Sequence, residues 1–394
     1  MGRRGHAVVV GGGIGGLSAA IGLRRIGWRV TVLERSPRFS EIGAGLTLWP
    51  NALRALRELG LGAPFEDAIA KQGPGGARAA NGRRLSSWDG PGRAEALGGP
   101  VLGVHRGDLH QLLADALPAT TFRFGAQVQD VSNATAPAIA GHEDLGDIDV
   151  LIGADGMNSR VRRQLWPQHP QPAYSGWTAW RGVSSPAEDV EMTVSIGRGA
   201  EFGTIPLGDG RVCWYAAELA PAGRRFADEK STVQNRFADW HAPIPSVIAA
   251  TPAREVLHHD IAFLGRPLSS YVRGRVALLG DAAHAMTPHL GQGACQAIED
   301  AVVLASVLSR VTDVEDPQAV TTALADYDRL RLPRTQAVAR ASRALGRFGM
   351  GIRNPAVAAL RDTAMSLVPN RLSLRSMGRF ASWTPPRVPD RATD

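Results

Sequence analysis

Apolar and polar positions near the start of the chain predict a strand, a tight turn, a helix and a second strand. Residues 6–10 (HAVVV) and 29–33 (RVTVL) are short β-branched runs, and residues 17–26 place apolar side chains at helical spacing. A glycine cluster at residues 11–16 separates the first run from the helix. Continuous apolar runs are typical of buried parallel strands, so the segment predicts one unit of a parallel sheet.

Later segments show both periods again. Apolar runs at 149–153 and 276–279 each end at or just before a glycine. Residues 191–205 and 211–219 alternate instead and are joined by a Gly-Asp-Gly turn, which predicts antiparallel strands. Further helices are predicted where apolar residues recur three and four positions apart, at 50–60, 107–117 and 293–304. The predicted fold class is therefore α/β, with a parallel sheet and a separate antiparallel one.

The glycine cluster has the spacing of a dinucleotide site. Its residues are Gly11, Gly13, Ile14, Gly15 and Gly16. In a G-x-G-x-x-G pattern, the first glycine allows a tight turn and the second allows a pyrophosphate to approach the backbone closely. The third allows close packing of the helix on the strand. Glu34 ends the second strand, where a carboxylate accepts ribose hydroxyls but repels the 2′-phosphate of NADP. The motif suits NAD or the ADP half of FAD and leaves both open.

Two further strand ends carry turn and acidic residues. Asp155 follows the run at 149–153, and Asp281 follows the run at 276–279. Ligands of open α/β sheets bind at the carboxyl ends of the strands. A helix then begins after Pro288, Gly291, Gly293 and Ala294. Amide groups at a helix N-terminus stabilise negative charge, so three distant strand ends are expected to converge on one extended cofactor.

Together these motifs resemble the three signatures of the single-component FAD-dependent aromatic hydroxylases. The signatures are the Gly11 turn with Glu34 and Arg35, the Gly-Ala-Asp155-Gly segment, and the Gly280-Asp281 segment with Pro288 and Gly-Gln-Gly293. Segments 174–182 and 296–301 are similar to the branch with salicylate-, 3-hydroxybenzoate- and urate-hydroxylase-like enzymes and zeaxanthin epoxidases. The resemblance covers about residues 6 to 350. It implies a para-hydroxybenzoate-hydroxylase-like fold, with a Rossmann-type FAD domain, an inserted antiparallel-sheet substrate domain and C-terminal helices.

The resemblance decides the dinucleotide in favour of FAD, with NADH or NADPH as a transient co-substrate. It places the adenosine at Glu34 and Arg35, the phosphate or ribityl region at Arg106, the ribityl chain at Asp281, and both FAD and NAD(P)H at Asp155. Pro288 and the turn from Gly291 through Gly293 to Ala294 would lie against the isoalloxazine ring.

The implied reaction inserts one oxygen atom from dioxygen into an aromatic or heteroaromatic substrate. NAD(P)H reduces the flavin, which takes up dioxygen as a carbon-4a hydroperoxide, while the protein stabilises the anionic ring and excludes water. No catalytic triad or metal site is expected, and Pro288 and His289 are the candidates nearest the ring. An epoxidase of a terpenoid or polyketide alkene, a flavin oxidase or dehydrogenase, and a non-catalytic FAD-binding or substrate-sequestering protein remain alternatives.

Substrate contacts are expected from the antiparallel strands. The candidates are Glu201, Phe202, Ile205, Trp214 and Tyr215. Glu201 stands where the urate-hydroxylase-like pattern places an arginine, and His289 departs from that pattern's Pro-Asn-Leu-Gly. The missing arginine argues against a small carboxylate or urate anion as substrate, because its bidentate partner would be absent.

The predicted domains interleave along the sequence. The FAD domain is expected at 1–70, 100–170 and 265–330, the substrate domain at 71–99 and 171–264, and a C-terminal helical segment and tail at 331–394. This length leaves no room for a separate nicotinamide domain.

Composition adds a net charge of +7, from 44 basic and 37 acidic residues, of which only Lys71 and Lys230 are lysines. The arginines occur in every stretch, which favours biased usage over a nucleic-acid surface. Cys213 and Cys295 are too few for a disulfide framework, and no run approaches the ~20 apolar residues of a membrane span. We therefore expect a cytoplasmic monomer or homodimer acting on a small molecule.

Overall fold

Two sheets organise the chain, and the computed structural model describes residues 5–39, 45–65, 75–88, 93–185 and 190–391. The strands are β1 (His6–Val10), β2 (Arg29–Glu34), β3 (Gly45–Leu48), β4 (Gly75–Ala79), β5 (Arg84–Ser87), β6 (Leu102–His105), β7 (Phe122–Phe124), β8 (Val131–Ser132), β9 (Ala138–Ile139), β10 (Val150–Gly153), β11 (Ala173–Ser184), β12 (Met192–Ile196), β13 (Ala200–Pro206), β14 (Val212–Leu219), β15 (Leu257–Phe263), β16 (Val272–Arg273) and β17 (Val276–Leu278). The helices are α1 (Ile14–Arg25), α2 (Pro50–Glu58), α3 (Arg93–Leu97), α4 (Arg106–Asp115), α5 (Arg160–Leu165), α6 (Glu229–Arg236), α7 (Ile244–Ala249), α8 (Asp281–His284), α9 (Gly293–Leu308), α10 (Pro317–Ala344), α11 (Pro355–Leu367) and α12 (Asn370–Ala381).

The first sheet brings the three predicted strand ends together. Its strand order is β16-β17-β10-β1-β2-β7, and β1 pairs in parallel with both β2 and β10. β10 in turn pairs in parallel with β17. The carboxyl ends of β1, β10 and β17 therefore lie side by side, and the turns that follow these strands face one region.

Helices pack closely beside this sheet because small residues face each other. α1 lies against α9, and a Cβ added at Gly22 would fall 2.9 Å from the Cβ of Ala305. At Gly15 an added Cβ would meet Leu279 at 2.7 Å and Ala297 at 3.1 Å. Glycine at these positions therefore fixes how near α1 comes to its neighbours.

The second sheet is antiparallel except for one pair, with the strand order β15-β11-β14-β13-β12-β4-β5, in which β12 and β4 run parallel. α6 and α7 cover one of its faces, where Phe202 and Trp214 pack with Phe237. Side chains alternate along strands, so Arg181, Glu201 and Tyr215 point from the other face. The α/β class with an added antiparallel sheet and C-terminal helices is confirmed.

The strands of the antiparallel sheet fall within 75–87, 173–219 and 257–263, between stretches that build the first sheet. The predicted domain boundaries stay a prediction, although this interleaving agrees with them. No helix in the described ranges is both long and apolar enough to cross a bilayer.

Candidate functional site

A cavity of about 1080 Å³ is lined by the turns that follow β1, β10 and β17, by strands of the second sheet and by the C-terminal helices. Its wall includes these sequence-predicted residues: Gly13, Ile14, Gly15, Arg106, Ile205, Trp214, Tyr215, Asp281, Pro288, His289, Gly291, Gly293 and Ala294. The predicted residues outside the wall are Gly11, Gly16, Glu34, Arg35, Asp155, Glu201 and Phe202. The motifs therefore converge on one space, and cofactor contacts of the residues outside its wall, Arg35 among them, stay predictions.

The turn after β1 presents a helix N-terminus to this cavity. Gly11 has φ +108°, and a Cβ there would fall 2.4 Å from the carbonyl oxygen of Ala154. A Cβ at Gly16 would fall 2.0 Å from the carbonyl oxygen of Gly11. At Gly13, by contrast, an added Cβ would meet nothing within 4 Å. The first turn of α1 contains no acidic residue, so its free N–H groups are suited to an anion such as a pyrophosphate.

Glu34 holds the same turn from the end of β2. Its Oε2 accepts a hydrogen bond from the Gly12 N–H at 2.9 Å, and its Oε1 accepts one from the Ser36 N–H at 2.9 Å. His110 reaches the carbonyl oxygen of Gly12 at 2.6 Å from α4. The carboxylate is thus oriented by the backbone, and each oxygen keeps a lone pair for a ribose hydroxyl.

In the turn after β10, the carboxylate of Asp155 is hydrogen-bonded to the protein itself, whereas it was expected to contact FAD and NAD(P)H. The Asp155 Oδ1 accepts from the Ser159 hydroxyl at 2.5 Å, and its Oδ2 accepts from the Arg160 N–H at 2.6 Å. Arg162 is buried and donates to the carbonyl oxygens of Ala282 at 2.8 Å and Met157 at 2.5 Å. Asp155 and Arg162 therefore hold loops in place, and contact of Asp155 with FAD or NAD(P)H stays a prediction.

Asp281 lies in the cavity wall, at the start of α8. It begins α8 after Gly280, whose φ is +60° and whose N–H donates to the buried Asp300 Oδ2 at 2.9 Å. Among the described residues, no hydrogen-bond partner is found for the exposed Asp281 carboxylate, which faces the cavity. A carboxylate held this way is suited to the hydroxyls of a ribityl chain.

The loop after α8 provides a second helix N-terminus. Gly291 has φ +61°, and an added Cβ would meet the Thr47 hydroxyl at 2.8 Å. At Gly293, the first residue of the 16-residue α9, an added Cβ would meet nothing within 4 Å. Two open helix N-termini thus face one elongated cavity, which fits FAD: one for the pyrophosphate and one for an anionic ring.

We expect Asp281→Ala to weaken FAD binding roughly 10- to 100-fold, because a charge-assisted hydrogen bond contributes about 1.5–3 kcal/mol. The measurement is the dissociation constant of FAD from flavin fluorescence, together with the flavin content of the purified protein. Asp239→Asn is the matched control, because Asp239 is exposed and lies outside the cavity wall. Equal flavin retention in both variants would remove Asp281 from the site.

The other end of the cavity has an arginine that the sequence analysis did not single out. Arg181 on β11 lies directly opposite Tyr215 on β14, and both line the cavity. Burial and the nearby Arg106 lower the pKa of Arg181, which still stays charged because guanidinium remains protonated in proteins. Among the described residues no carboxylate pairs with it. The one sequence signal for this residue was its position in segment 174–182, which is rich in aromatic residues.

Tyr215 is a hydrogen-bond donor at the same place. Burial, together with the charge of Glu201, raises the pKa of its phenol well above 10. The hydroxyl therefore stays protonated throughout the working pH range. Arg181 and Tyr215 together make a cationic and hydrogen-bonding patch on the sheet face.

Two of the aromatic candidates belong to the core. Phe202 is fully buried on the opposite face of the sheet, with its ring 5.5 Å from those of Trp214 and Phe237, so its assignment to the pocket is wrong. Trp214 touches the cavity wall, but its Nε1–H donates to the Thr251 hydroxyl at 2.8 Å within the core. Ile205 and Tyr215 lie on the cavity side. The alternation along β13 decides which neighbours face the ligand.

Glu201 also lies behind the wall, paired with His289. Its Oε1 is 3.1 Å from the His289 Nδ1, and both side chains are 1% exposed. The His289 ring also packs edge-on against Trp177 at 5.1 Å. Glu201 lies outside the cavity wall and is occupied by His289, so its contact with a substrate stays a prediction. The pair joins the antiparallel sheet to the Pro288 loop, and His289 also lines the cavity.

Glu201→Arg is expected to lower the free energy of unfolding by roughly 3–5 kcal/mol, because it places an unpaired cation in a buried position beside His289. Urea denaturation measures this loss. Glu201→Gln is the control, since it keeps the size and the acceptor. A fully stable Glu201→Arg variant that turns over anionic aromatics faster would instead restore position 201 to the pocket.

Known proteins that are similar to this chain in sequence or fold include FAD complexes and monooxygenases. A family model described as FAD binding domain matches residues 5–342. The chain is 38% identical over 350 residues to the aurachin C monooxygenase/isomerase of Stigmatella aurantiaca, covering 87% of this chain and 89% of that protein. It is 35% identical over 358 residues to the 3-amino-4-hydroxybenzoate 2-monooxygenase of Streptomyces cremeus, covering 86% of each. The structure of Klebsiella pneumoniae HpxO complexed with FAD and uric acid superposes with a TM-score of 0.85 at 27% identity, covering 97% of both chains.

Proposed function

The chain belongs to the FAD binding domain family of aromatic monooxygenases, and on that premise we propose that it oxygenates a large, mostly apolar ring compound through an oxygen substituent bound by Arg181 and Tyr215. It is an FAD-dependent enzyme that uses NAD(P)H. The proposal concerns the substrate class and the residues that bind it.

The observation that carries the proposal is a cation without a counter-ion in the cavity wall. Arg181 is half-buried and no carboxylate of the described residues pairs with it, so no protein group compensates the partial desolvation of its charge. A phenolate, enolate or polarised ring carbonyl of the substrate supplies the missing partner, and Tyr215 donates a second hydrogen bond to it. Holding such an oxygen as an anion makes the ring electron-rich, which favours attack by an electrophilic oxygen.

The rest of this end of the cavity is apolar. Its wall includes Trp49, Trp88, Leu97, Val101, Met192 and Ile205. Such walls exclude water and bind an aromatic body or an alkyl extension through the hydrophobic effect. The cavity also extends along Met365 and Phe380 of the C-terminal helices, beyond the volume that a single small ring requires. A small, multiply charged anion would leave these apolar side chains of the cavity wall without a contact.

The cofactor contacts follow from the two open helix N-termini. We assign the pyrophosphate to the start of α1, the ribityl chain to Asp281 and Arg106, and the ring to Pro288 and the start of α9. FAD, when bound, supplies the redox chemistry that activates dioxygen. The chain supplies the charge at the α9 terminus, the dry walls, and the Arg181 clamp that fixes the substrate beside the ring position.

The test is stimulated NAD(P)H oxidation with phenols, hydroxyquinolines and indoles, each offered with and without an alkyl chain. We expect the alkylated, oxygen-bearing rings to give the highest rates, and a product that gains one atom from labelled dioxygen. Flavin reduction by substrate without NAD(P)H would establish an oxidase instead. Preference for urate or for simple carboxylates would refute the assigned substrate class.

A cytoplasmic location and a monomeric or homodimeric state stay predictions. Cys213 and Cys295 are both unpaired and buried, as expected for a chain that does not rely on disulfides. Gel filtration with light scattering measures the oligomeric state directly.

A further inference from the structure

The positive charge of the chain is concentrated near its C-terminus. Residues 340–381 contain eight arginines and one acidic residue, Asp362, a net charge of +7 that equals the charge of the whole chain. All other residues together are electrically balanced. Arginines therefore occur along the whole sequence, as expected, but the excess of arginines over carboxylates lies within residues 340–381.

Exposed apolar side chains occupy the same segment. Of the eight large apolar residues that are exposed among the described residues, six lie between 348 and 372. They are Phe348, Val357, Leu360, Leu367, Val368 and Leu372. Leu360 and Leu367 are 69% and 76% exposed. Clusters of this kind on a folded surface mark interaction sites.

The exposed apolar residues and the arginines lie mainly on two different helices, α11 and α12. On α11 the exposed residues Val357, Leu360, Ala364 and Leu367 recur three and four positions apart and form one apolar stripe. On α12 the exposed residues Arg371, Arg375 and Arg379 recur every four positions and form a basic stripe. The single carboxylate, on Asp362, is already paired with Arg361 at 2.7 Å. Both helices pack on the edge strand β5.

We propose that α11 and α12 form a docking surface for a bilayer that contains anionic phospholipids. Exposed leucines inserted at the headgroup boundary and arginines facing lipid phosphates match the chemistry of interfacial helices. A symmetric pairing of two copies would instead place +3 against +3, because residues 355–381 contain four arginines and one aspartate that is already paired. A nucleic acid would pair the arginines but leave the apolar stripe in water.

The docking surface is continuous with the cavity described above. Met365 of α11 and Leu372, Arg375 and Phe380 of α12 line that cavity. Leu372 and Arg375 are also exposed to solvent. An apolar ligand dissolved in the bilayer therefore has a route into the cavity along these helices. The charge and exposure that define the surface do not depend on the substrate proposed above.

The test is sedimentation of the purified, FAD-loaded protein with vesicles of phosphatidylcholine alone and of phosphatidylcholine with 30% phosphatidylglycerol. We expect binding to the anionic vesicles only, weakened at high salt. Leu360→Ser/Leu367→Ser should lower the partition coefficient roughly tenfold or more, and Arg371→Gln on the basic stripe should lower it roughly fivefold. The matched controls are Leu330→Ser and Arg254→Gln, which change exposed residues of the same types elsewhere.

Unchanged melting temperature and flavin content would show that the variants are folded, and NAD(P)H oxidation with a dissolved substrate should stay the same. Equal binding to both vesicle types, or equal losses in the test and control variants, would overturn the proposal. A concentration-dependent dimer that Leu360→Ser/Leu367→Ser disrupts, without vesicle binding, would assign the surface to a second copy. Retardation of DNA without vesicle binding would assign it to nucleic acid.

Discussion

Arg181→Met is expected to lower kcat/KM for the best substrate of the panel by roughly 100-fold or more. The substitution keeps most of the side-chain length but removes the charge that we assign to the oxygen of the substrate. Truncating one member of a buried, hydrogen-bonded charge pair costs about 2–5 kcal/mol. The effect should fall on substrate-stimulated NAD(P)H oxidation and product yield. FAD affinity should change little, because Arg181 belongs to the antiparallel sheet.

The stability of the same variant separates binding from structure. Because no carboxylate of the described residues pairs with Arg181, its removal should leave the melting temperature of the ligand-free protein unchanged or raise it. Arg181→Lys should recover part of the activity, because lysine keeps the positive charge but lacks the planar guanidinium that donates two parallel hydrogen bonds. Tyr215→Phe should lower kcat/KM roughly 10- to 100-fold, as expected for the loss of one hydrogen bond to a negatively charged oxygen. A large drop in stability with unchanged kcat/KM would make Arg181 a structural residue.

Arg331→Met is expected to lower the free energy of unfolding by roughly 3–5 kcal/mol. Arg331 is 1% exposed and donates from Nε to the Asp300 Oδ1 at 2.6 Å and from Nη1 to the Glu299 Oε2 at 2.5 Å. Its removal leaves two buried carboxylates with fewer partners. Thermal unfolding should show a fall in melting temperature of roughly 4–6 °C. Arg310→Gln, at a mostly exposed ion pair, should change it by about 1 °C or less.

The same network gives the expected pH dependence. Burial alone would raise the pKa of Asp300, but the charges of His284 and Arg331 hold it below its usual value of 3.8. A carboxyl group whose pKa is lowered by folding stabilises the folded state at pH values above its pKa in the unfolded chain. This stability is lost as the pH falls through its pKa in the folded state. Arg331→Met should therefore move the midpoint of acid unfolding to higher pH. An unmoved midpoint would show that Asp300 is balanced by other groups, and Arg331→Lys is the second variant if the first fails to fold.

Asp300 also connects this network to the cofactor site. Its Oδ2 accepts hydrogen bonds from the Gly280 N–H and from His284 at 2.6 Å. Gly280 precedes Asp281, so the network orients the turn that we assign to the ribityl chain. We expect Arg331→Met to lower flavin retention as well, through the position of Asp281.

The motifs of the FAD site were predictable because each depends on a few neighbouring residues. Gly11 and Gly16 allow backbone approaches that any Cβ would block, and Gly13 leaves a helix N-terminus open. Glycine spacing therefore records local geometry directly. The carboxyl ends of strands also predict their own convergence, because parallel strands place those ends at one edge of a sheet.

The substrate end was predicted poorly, for a different reason. Glu201 and His289 are 88 positions apart, and no local pattern indicates that they pair behind the cavity wall. Arg181 and Tyr215 meet only because β11 and β14 are adjacent in register. Phe202 and Tyr215 are both aromatic residues of alternating strands, yet they face opposite sides of the sheet.

The sequence by itself determined the fold class and the turns that form the cofactor site, since these follow from short-range sterics and periodicity, while the choice of FAD came from the resemblance to a known family. Only the tertiary structure decided which charges are paired and which face a ligand. Burial and register set the environment of Arg181, Glu201 and Arg331 from strands and helices that are distant in sequence. The sequence likewise contained the +7 charge, and the packing of α11 and α12 decided that it lies beside exposed leucines.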